Sequence, residues 1–368
     1  MQKRILITTG IFPPDIGGPA TFVPTLAKFL SDRSYLCRII TLGSKNSKFF
    51  LGKVFVRVVT RRINRIVRLF VVLPIIARNL KNSDILIAAG LYEEASIANL
   101  LFKRISVAKI VGDPIWERYR NKTGSAVTIE EFNANKLERQ LKMERKLLVW
   151  ALNRYAKITC PSAQLRDLMV SWGVKRPIVV IQNGIICTNK EILTKKYDVI
   201  STSRLVNWKN VDLLIDSCVR LNLKLAICGI GPELDQLKKL ASLIDHNNLV
   251  SFLGDLDKES IQLALLESKV FALISHYEGL SYGLIEAMHL GLTIVVSEAK
   301  GNAEVIKNQV NGLVVPFKFG KELDDALSKA VKIQFPLGIL GKNAMISARE
   351  NFCQEKQLLK LIDFLDIC

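Results

Sequence analysis

The chain has 368 residues, 49% of them hydrophobic, with 52 Lys and Arg against 34 Asp and Glu, a formal net charge of +18. That length is too great for one ordinary core and predicts two domains, and the apolar content excludes a disordered chain. The seven cysteines are scattered without a Cys-x-x-Cys pair, which argues against disulfides or a zinc site and for reduced, buried thiols in a cytosolic protein.

The first apolar run, residues 5–9, is too short for a signal-peptide core and reads as a buried strand ending at Gly10. Phe12-Pro13-Pro14-Asp15-Ile16-Gly17-Gly18-Pro19 follows, a Gly-Gly turn with Pro19 at the first helical position. Gly17 and Gly18 either let backbone amides reach a phosphate or simply make a tight turn. Apolar runs at 38–41, 54–60, 85–89, 108–111, 158–160 and 178–181 read as buried parallel strands. Helical patterns at 19–30, 93–102 and 134–155 separate several of them, which predicts a doubly wound sheet.

Charge is uneven along the chain. Residues 1–190 carry 32 Lys and Arg and 12 Asp and Glu, a balance of +20, while residues 191–368 carry 20 and 22, a balance of −2. Residues 33–83 hold twelve basic residues and no acidic one, which predicts an anionic partner for this half. Within that run Arg61, Arg62, Arg65 and Arg68 form one helical stripe, and Ile63, Ile66, Val67, Phe70 and Val71 a second. Two readings stand: a helix lying in an anionic membrane surface, or a helix packed on its own sheet with a solvated basic face. Arg68 and Pro74 interrupt the apolar run, so it does not span a bilayer, which needs ~20 apolar residues. Nucleic acid is not expected as the partner, because no zinc finger, helix-turn-helix or aromatic-studded basic strand is present.

Turn residues Gln182-Asn183-Gly184 mark a break. Strand–helix alternation restarts beyond it with apolar runs at 198–203, 224–228, 249–253, 270–274 and 293–297, and residues 344–365 look helical. The ends of these runs carry the distinctive residues: Ser203-Arg204-Leu205-Val206-Asn207-Trp208-Lys209-Asn210, Cys228-Gly229-Ile230-Gly231-Pro232-Glu233, and Gly254 after Ser251-Phe252-Leu253. Ser275-His276-Tyr277-Glu278-Gly279-Leu280-Ser281-Tyr282-Gly283-Leu284-Ile285-Glu286 brackets a small-residue turn with two glutamates. That turn enters a helix, whose amide-rich start favours anions. Gly301-Asn302-Ala303-Glu304 and Asn311-Gly312-Leu313-Val314 complete the set. Asp255-Leu256-Asp257 looks like a metal motif, but its position after a strand suits helix capping, and no metal is expected. His246, His276 and His289 have no metal-ligand spacing; His276 either lines the site or is an ordinary packed or exposed histidine.

In this order and spacing the set resembles the retaining glycosyltransferases of family 4, across nearly the whole chain and most strongly over residues 199–316. The resemblance implies a GT-B fold: two doubly wound Rossmann-like α/β domains facing across a cleft, residues 1–184 and 185–349, with a C-terminal helix of about 350–368 packing back on the first. It implies donor binding by Gly17, Gly18, Arg204, Lys209, Gly229, Gly231, Gly254, Gly279, Leu280, Ser281 and Glu286. Glu278 would contact the donor sugar, Glu286 the ribose hydroxyls, and Arg204 and Lys209 the leaving diphosphate. Many members carry a histidine in the first domain that has no counterpart in Val111-Gly112-Asp113-Pro114-Ile115-Trp116-Glu117-Arg118. Asp113 is either its substitute, bonding a sugar hydroxyl or helping to deprotonate the acceptor, or a turn carboxylate before Pro114. Trp116, Arg118 and Tyr119 form a candidate acceptor platform. The expectation is a cytoplasmic hexosyltransferase without a metal or other cofactor. It would take a nucleotide sugar as donor and a glycan or glycolipid as acceptor, in lipopolysaccharide or polysaccharide synthesis at the inner membrane face. The alternatives are a soluble transferase making a free disaccharide or glucoside, and a non-catalytic nucleotide-sugar-binding protein.

Overall fold

The computed structural model describes residues 2–365 except 16, 63–64, 126, 128, 135–137, 187–193 and 333–337, and the side chains of 65, 66, 121 and 130 are also not described. Ile63 and the Arg65 and Ile66 side chains of the stripes, like Cys187 and Cys368, therefore lie outside the described residues.

In chain order the first part comprises β1 (Arg4–Thr9), α1 (Gly18–Asp32), β2 (Leu36–Gly43), β3 (Ser47–Leu51), β4 (Val54–Thr60), α2 (Arg65–Lys81), β5 (Ile85–Ala89), α3 (Tyr92–Phe102), β6 (Ile105–Lys109), α4 (Pro114–Thr123), α5 (Ile129–Ala134), α6 (Arg139–Leu152), β7 (Lys157–Cys160), α7 (Ala163–Ser171) and β8 (Ile178–Val180). The second comprises β9 (Tyr197–Thr202), α8 (Val211–Arg220), β10 (Leu225–Cys228), α9 (Leu234–Ile244), β11 (Val250–Gly254), α10 (Lys258–Leu266), β12 (Ser268–Leu273), α11 (Tyr282–His289), β13 (Thr293–Ser297), α12 (Lys300–Ala303), β14 (Leu313–Val315), α13 (Lys321–Lys332), α14 (Ile339–Asn351) and α15 (Gln354–Phe364). A 3-10 turn, Asn207–Lys209, precedes α8.

Two sheets result. The first has eight strands in the order β3-β4-β2-β1-β5-β6-β7-β8, and the second six, β11-β10-β9-β12-β13-β14. Every pairing is parallel except β3 with β4. Parallel strands covered by helices on both faces are apolar throughout, which is why β5 and β13 are buried at every residue. Strand β3 escaped the sequence pattern because it is an exposed antiparallel edge, turned back through Gly52 at φ +57°. In the second unit, Ile200, Phe271, Leu284, Met288 and Ala344 pack in one core cluster. Val199, Leu214, Val270, Leu323 and Leu327 pack in another. Consecutive residues Val199 and Ile200 enter different clusters because successive side chains on a strand point to opposite faces.

Contacts divide the chain into Met1–Tyr119, Phe132–Gln182 and Leu358–Cys368 as one unit, and Arg120–Glu131 with Asn183–Gln357 as the other. Arg120–Glu131, expected from sequence in the first domain, thus packs with the second. The Arg120 guanidinium lies 5.2 Å from the Trp208 ring, and Asn207 Nδ2 donates to the Gly124 carbonyl at 3.2 Å. The tail joins the first unit only from Leu358, later than the expected residue 350. Ile185 holds the start of α15 in the second unit: Ile185 N–H donates to Phe352 O at 2.9 Å, and Gln354 N–H to Ile185 O at 2.8 Å. That docking splits the single helix expected over 344–365 into α14 and α15.

Cys37, Cys160, Cys218 and Cys228 are buried free thiols, and burial pushes Cys37 and Cys228 up to about 12. Among the described residues no helix is long and apolar enough to cross a membrane.

Candidate functional site

In the second unit the loops after β9 and β12 are stitched together. His276 N–H donates to the Trp208 carbonyl at 2.9 Å. Asn210, at φ 51° in the left-handed region that asparagine tolerates, donates its Nδ2 to the Ile274 carbonyl at 2.7 Å. These bonds bring Lys209 Nζ onto Glu278 Oε1 as an ion pair. The two side chains are only 14% and 8% exposed, so the pair is little screened by solvent. Arg204, just after β9, is exposed.

The loop bearing Glu278 is braced from beneath. Ser297 Oγ donates to the Ser275 carbonyl at 2.5 Å, and Asn302 Nδ2 bonds Ser297 at 3.2 and 3.3 Å. Asn183 Nδ2 donates to the Leu280 carbonyl at 3.2 Å. A Cβ on Gly301 would sit 2.0 Å from the Glu278 carbonyl, so α12 reaches this loop only through a glycine. Ser281 is the N-cap of α11, its hydroxyl accepting from Leu284 N–H at 3.4 Å. This leaves a helix start with amides directed at the loop, an arrangement that favours anions. The Leu280 side chain packs in the core, so only its backbone is open to the expected donor contact.

Glu286 lies just over one turn into α11. It lines a small cavity with Ile185, Ile186, Lys258, Gln262, His289 and Leu290. Burial pushes its carboxyl above the ordinary glutamate range, and the positive Lys258 opposes that shift. Lys258 and Gln262 were not singled out from sequence; their one signal is position, since Lys258 follows the α10 cap. Asp257 makes that cap, accepting from Ser260 N–H at 2.8 Å. The same bond holds its carboxyl below the usual range. Among the described residues no group of three His, Cys, Asp or Glu is arranged to hold a metal ion.

The glycines differ in what they do. A Cβ on Gly229 would fall 1.9 Å from the Ser203 carbonyl, and one on Gly231 2.1 Å from the Leu205 carbonyl. Both therefore let two loops of this protein touch, a structural demand distinct from the expected approach of a nucleotide. Gly254, at φ +72°, and Gly18 have open space at the Cβ position. Helix α1 starts at Gly18 with Gly17 as an N-cap that supplies no side-chain bond, and with no acid in its first turn. A helix start of this kind favours a nearby anion. Arg61, expected on the basic stripe, folds over the neighbouring loop. It bonds Asp15 at 2.5 and 3.2 Å, and the Gly10 and Leu42 carbonyls at 3.3 and 3.1 Å.

Asp113 is fully buried in the first unit. One oxygen caps α4, accepting from Ile115 and Trp116 N–H at 3.0 and 3.2 Å. The other accepts from Arg145 Nη2 at 2.6 Å and Asn133 Nδ2 at 3.4 Å. With both oxygens engaged, Asp113 matches the turn-carboxylate reading of the two the sequence offered. The expected platform is not formed either. Trp116 lies in the core, Arg118 pairs with Glu144 at 2.7 Å, and the Tyr119 ring packs 5.2 Å from Phe132.

Among known protein families, "Glycosyltransferase Family 4" matches residues 16–188 and "Glycosyl transferases group 1" matches residues 187–347. An uncharacterised glycosyltransferase of Methanocaldococcus jannaschii is 32% identical over 177 residues, 46% of this chain and 45% of that protein. The lipopolysaccharide core biosynthesis glycosyltransferase LpsE of Rhizobium meliloti is 29% identical over 43% of this chain and 48% of its own length. The chain thus spans under half the length of these curated relatives. Anabaena HepE, solved in complex with UDP and glucose, superposes with a TM-score of 0.79 at 18% identity over 100% of both chains. At that identity the likeness is one of fold, and the fold is GT-B, built from two parallel-sheet α/β domains.

Proposed function

Because the chain belongs to glycosyltransferase family 4, we propose that it moves a sugar from a nucleoside-diphosphate sugar to a hydroxyl acceptor with retention of configuration. The observation that carries this reading is the shielded Lys209–Glu278 pair beside exposed Arg204 and the start of α11. As the bond to the sugar breaks, negative charge collects on the departing diphosphate. Lys209, Arg204 and the α11 amides stabilise that charge without a metal. Glu278, relieved of Lys209 by the incoming phosphates, accepts hydrogen bonds from the sugar hydroxyls. Glu286, with Lys258 and Gln262 around it, receives the ribose. The acceptor hydroxyl enters on the face the diphosphate leaves, and the departing phosphate takes its proton. No enzyme carboxylate is then needed as a base, in keeping with the engaged oxygens of Asp113. The UDP bound to HepE supports uracil as the base tried first.

The acceptor in this reading is a lipid-linked glycan at an anionic membrane face, as in lipopolysaccharide or polysaccharide synthesis. The basic first half supports it, as do Val67, Phe70 and Val71 standing exposed on α2. The lipopolysaccharide core role carried in the name of LpsE supports it too. The test screens nucleotide sugars for thermal stabilisation of the purified protein, then follows release of the free nucleotide from the best donor in the presence of a lipid-linked acceptor fraction. A donor that stabilises the chain but is never turned over would leave only a nucleotide-sugar-binding protein.

A further inference from the structure

An aromatic surface stands in the second unit. The His276 ring lies 5.2 Å from that of Phe317 and 5.8 Å from that of Phe319, and the two phenylalanines are 6.3 Å apart. Phe317 is 40% exposed, and His276 and Phe319 are half-buried. Beside them lies Trp208, with the Arg120 guanidinium over its ring.

Trp208 and His276 stand on the two loops that carry the ion pair, and Phe317 and Phe319 on the loop after β14. Trp208 directly precedes Lys209, His276 stands two residues before Glu278, and the His276 N–H bond to the Trp208 carbonyl ties the loops together. A phenylalanine left open forgoes much of the stabilisation that full burial of such a side chain supplies. An open ring beside a histidine and next to charged groups suits a ligand with one apolar face and a polar rim. A pyranose has that form: axial C–H groups on one face and hydroxyls around the edge. Burial, with the positive Arg120, holds His276 below its ordinary range.

We propose that Phe317, Phe319 and His276 form an acceptor subsite in which one pyranose ring of a glycan lies against Phe317. The proposal rests on the transferase reading and specifies its acceptor as a sugar ring held by the second unit. The test records saturation-transfer NMR spectra of methyl α- and β-hexopyranosides with the whole protein, with and without UDP. Calorimetry of UDP binding runs alongside. In the wild type at least one glycoside receives saturation at its ring protons. Phe317→Ala weakens that binding by about tenfold, Phe317→Tyr restores it, and neither changes UDP affinity. Equal glycoside signals in the wild type and Phe317→Ala, or none in the wild type, would overturn the subsite. So would a dimer of this chain that Phe317→Ala dissociates without any glycoside binding. Failure of UDP to bind the wild type would instead sink the donor reading, while the glycoside spectra still decide the subsite.

Discussion

Lys209 and Glu278 stand 69 residues apart in the chain and meet as a shielded ion pair, one on the turn after β9 and the other on the loop after β12. Among the described residues each is the other's ionic partner, so a ligand that separates them must satisfy both. A diphosphate and a sugar hydroxyl offer complementary partners, an anion for the ammonium and donors for the carboxylate.

Lys209→Ala is expected to lower donor turnover by ~10²–10³-fold, the usual effect of removing one group that stabilises developing charge. It also leaves Glu278 without its cation, so a moderate fall in melting temperature accompanies the loss. Arg204→Ala is expected to lower turnover while leaving the melting temperature within error, because Arg204 is exposed. Steady-state assays and circular dichroism melts on both variants check this; wild-type turnover in both would remove these cations from the mechanism.

Glu286 sets a pH dependence. Burial raises its folded pKa above the unfolded one, so the folded state holds the proton more tightly. That contribution to stability is full below the unfolded pKa and is lost as pH rises through the folded value. Glu286→Gln should therefore lose less stability than the wild type between pH 4 and pH 7, measured by urea unfolding about one pH unit apart. Glu286→Ala should weaken UDP binding in calorimetry. Identical pH profiles in the wild type and Glu286→Gln would show that another group governs this range.

Asp113 should behave as a structural residue. Asp113→Ala strands the buried Arg145 and uncaps α4, at a cost of ~3–5 kcal/mol. Denaturant unfolding should record that loss, while UDP affinity measured well below the melting temperature stays at the wild-type value. A variant that folds with full stability but fails in transfer would return Asp113 to the chemistry.

The exposed face of α2 makes the membrane reading testable apart from charge alone. Phe70 is 71% exposed, and Val67 and Val71 stand open beside it. The wild type should float with anionic vesicles at low salt and less at physiological salt, where the Debye length is ~8 Å. A variant carrying Ser at 67, 70 and 71 should stay in the lower fraction under both conditions. Equal flotation of the two would assign α2 no part in docking. Arg61 is left out of this set because its guanidinium is held by Asp15 and two carbonyls.

Much of the fold was legible without coordinates. Continuous apolar runs at 85–89 and 293–297 announce strands buried on both faces, and their alternation with helical patterns announces parallel sheets. The motif from Glu278 to Glu286 was legible for a similar reason: Gly279, Ser281 and Gly283 mark the turn and cap of a helix by local geometry alone. The exposed edge strand β3 left no trace, because a strand with neither face in the core carries no apolar period.

By itself, then, the sequence determined what depends on neighbours along the chain: strand and helix periods, caps, glycine turns, and the uneven charge that leaves residues 33–83 without an acid. Tertiary structure alone decided which side chains meet. It turned Asp113 onto Arg145, 32 residues away, and Arg61 onto Asp15, 46 residues away. It used Gly229 and Gly231 to close one loop upon another, and it carried Arg120 onto Trp208. The reason is physical. A backbone turn is set by local sterics and hydrogen bonds, whereas the partner of a buried charge is set by whichever opposite charge the packing of distant elements delivers beside it.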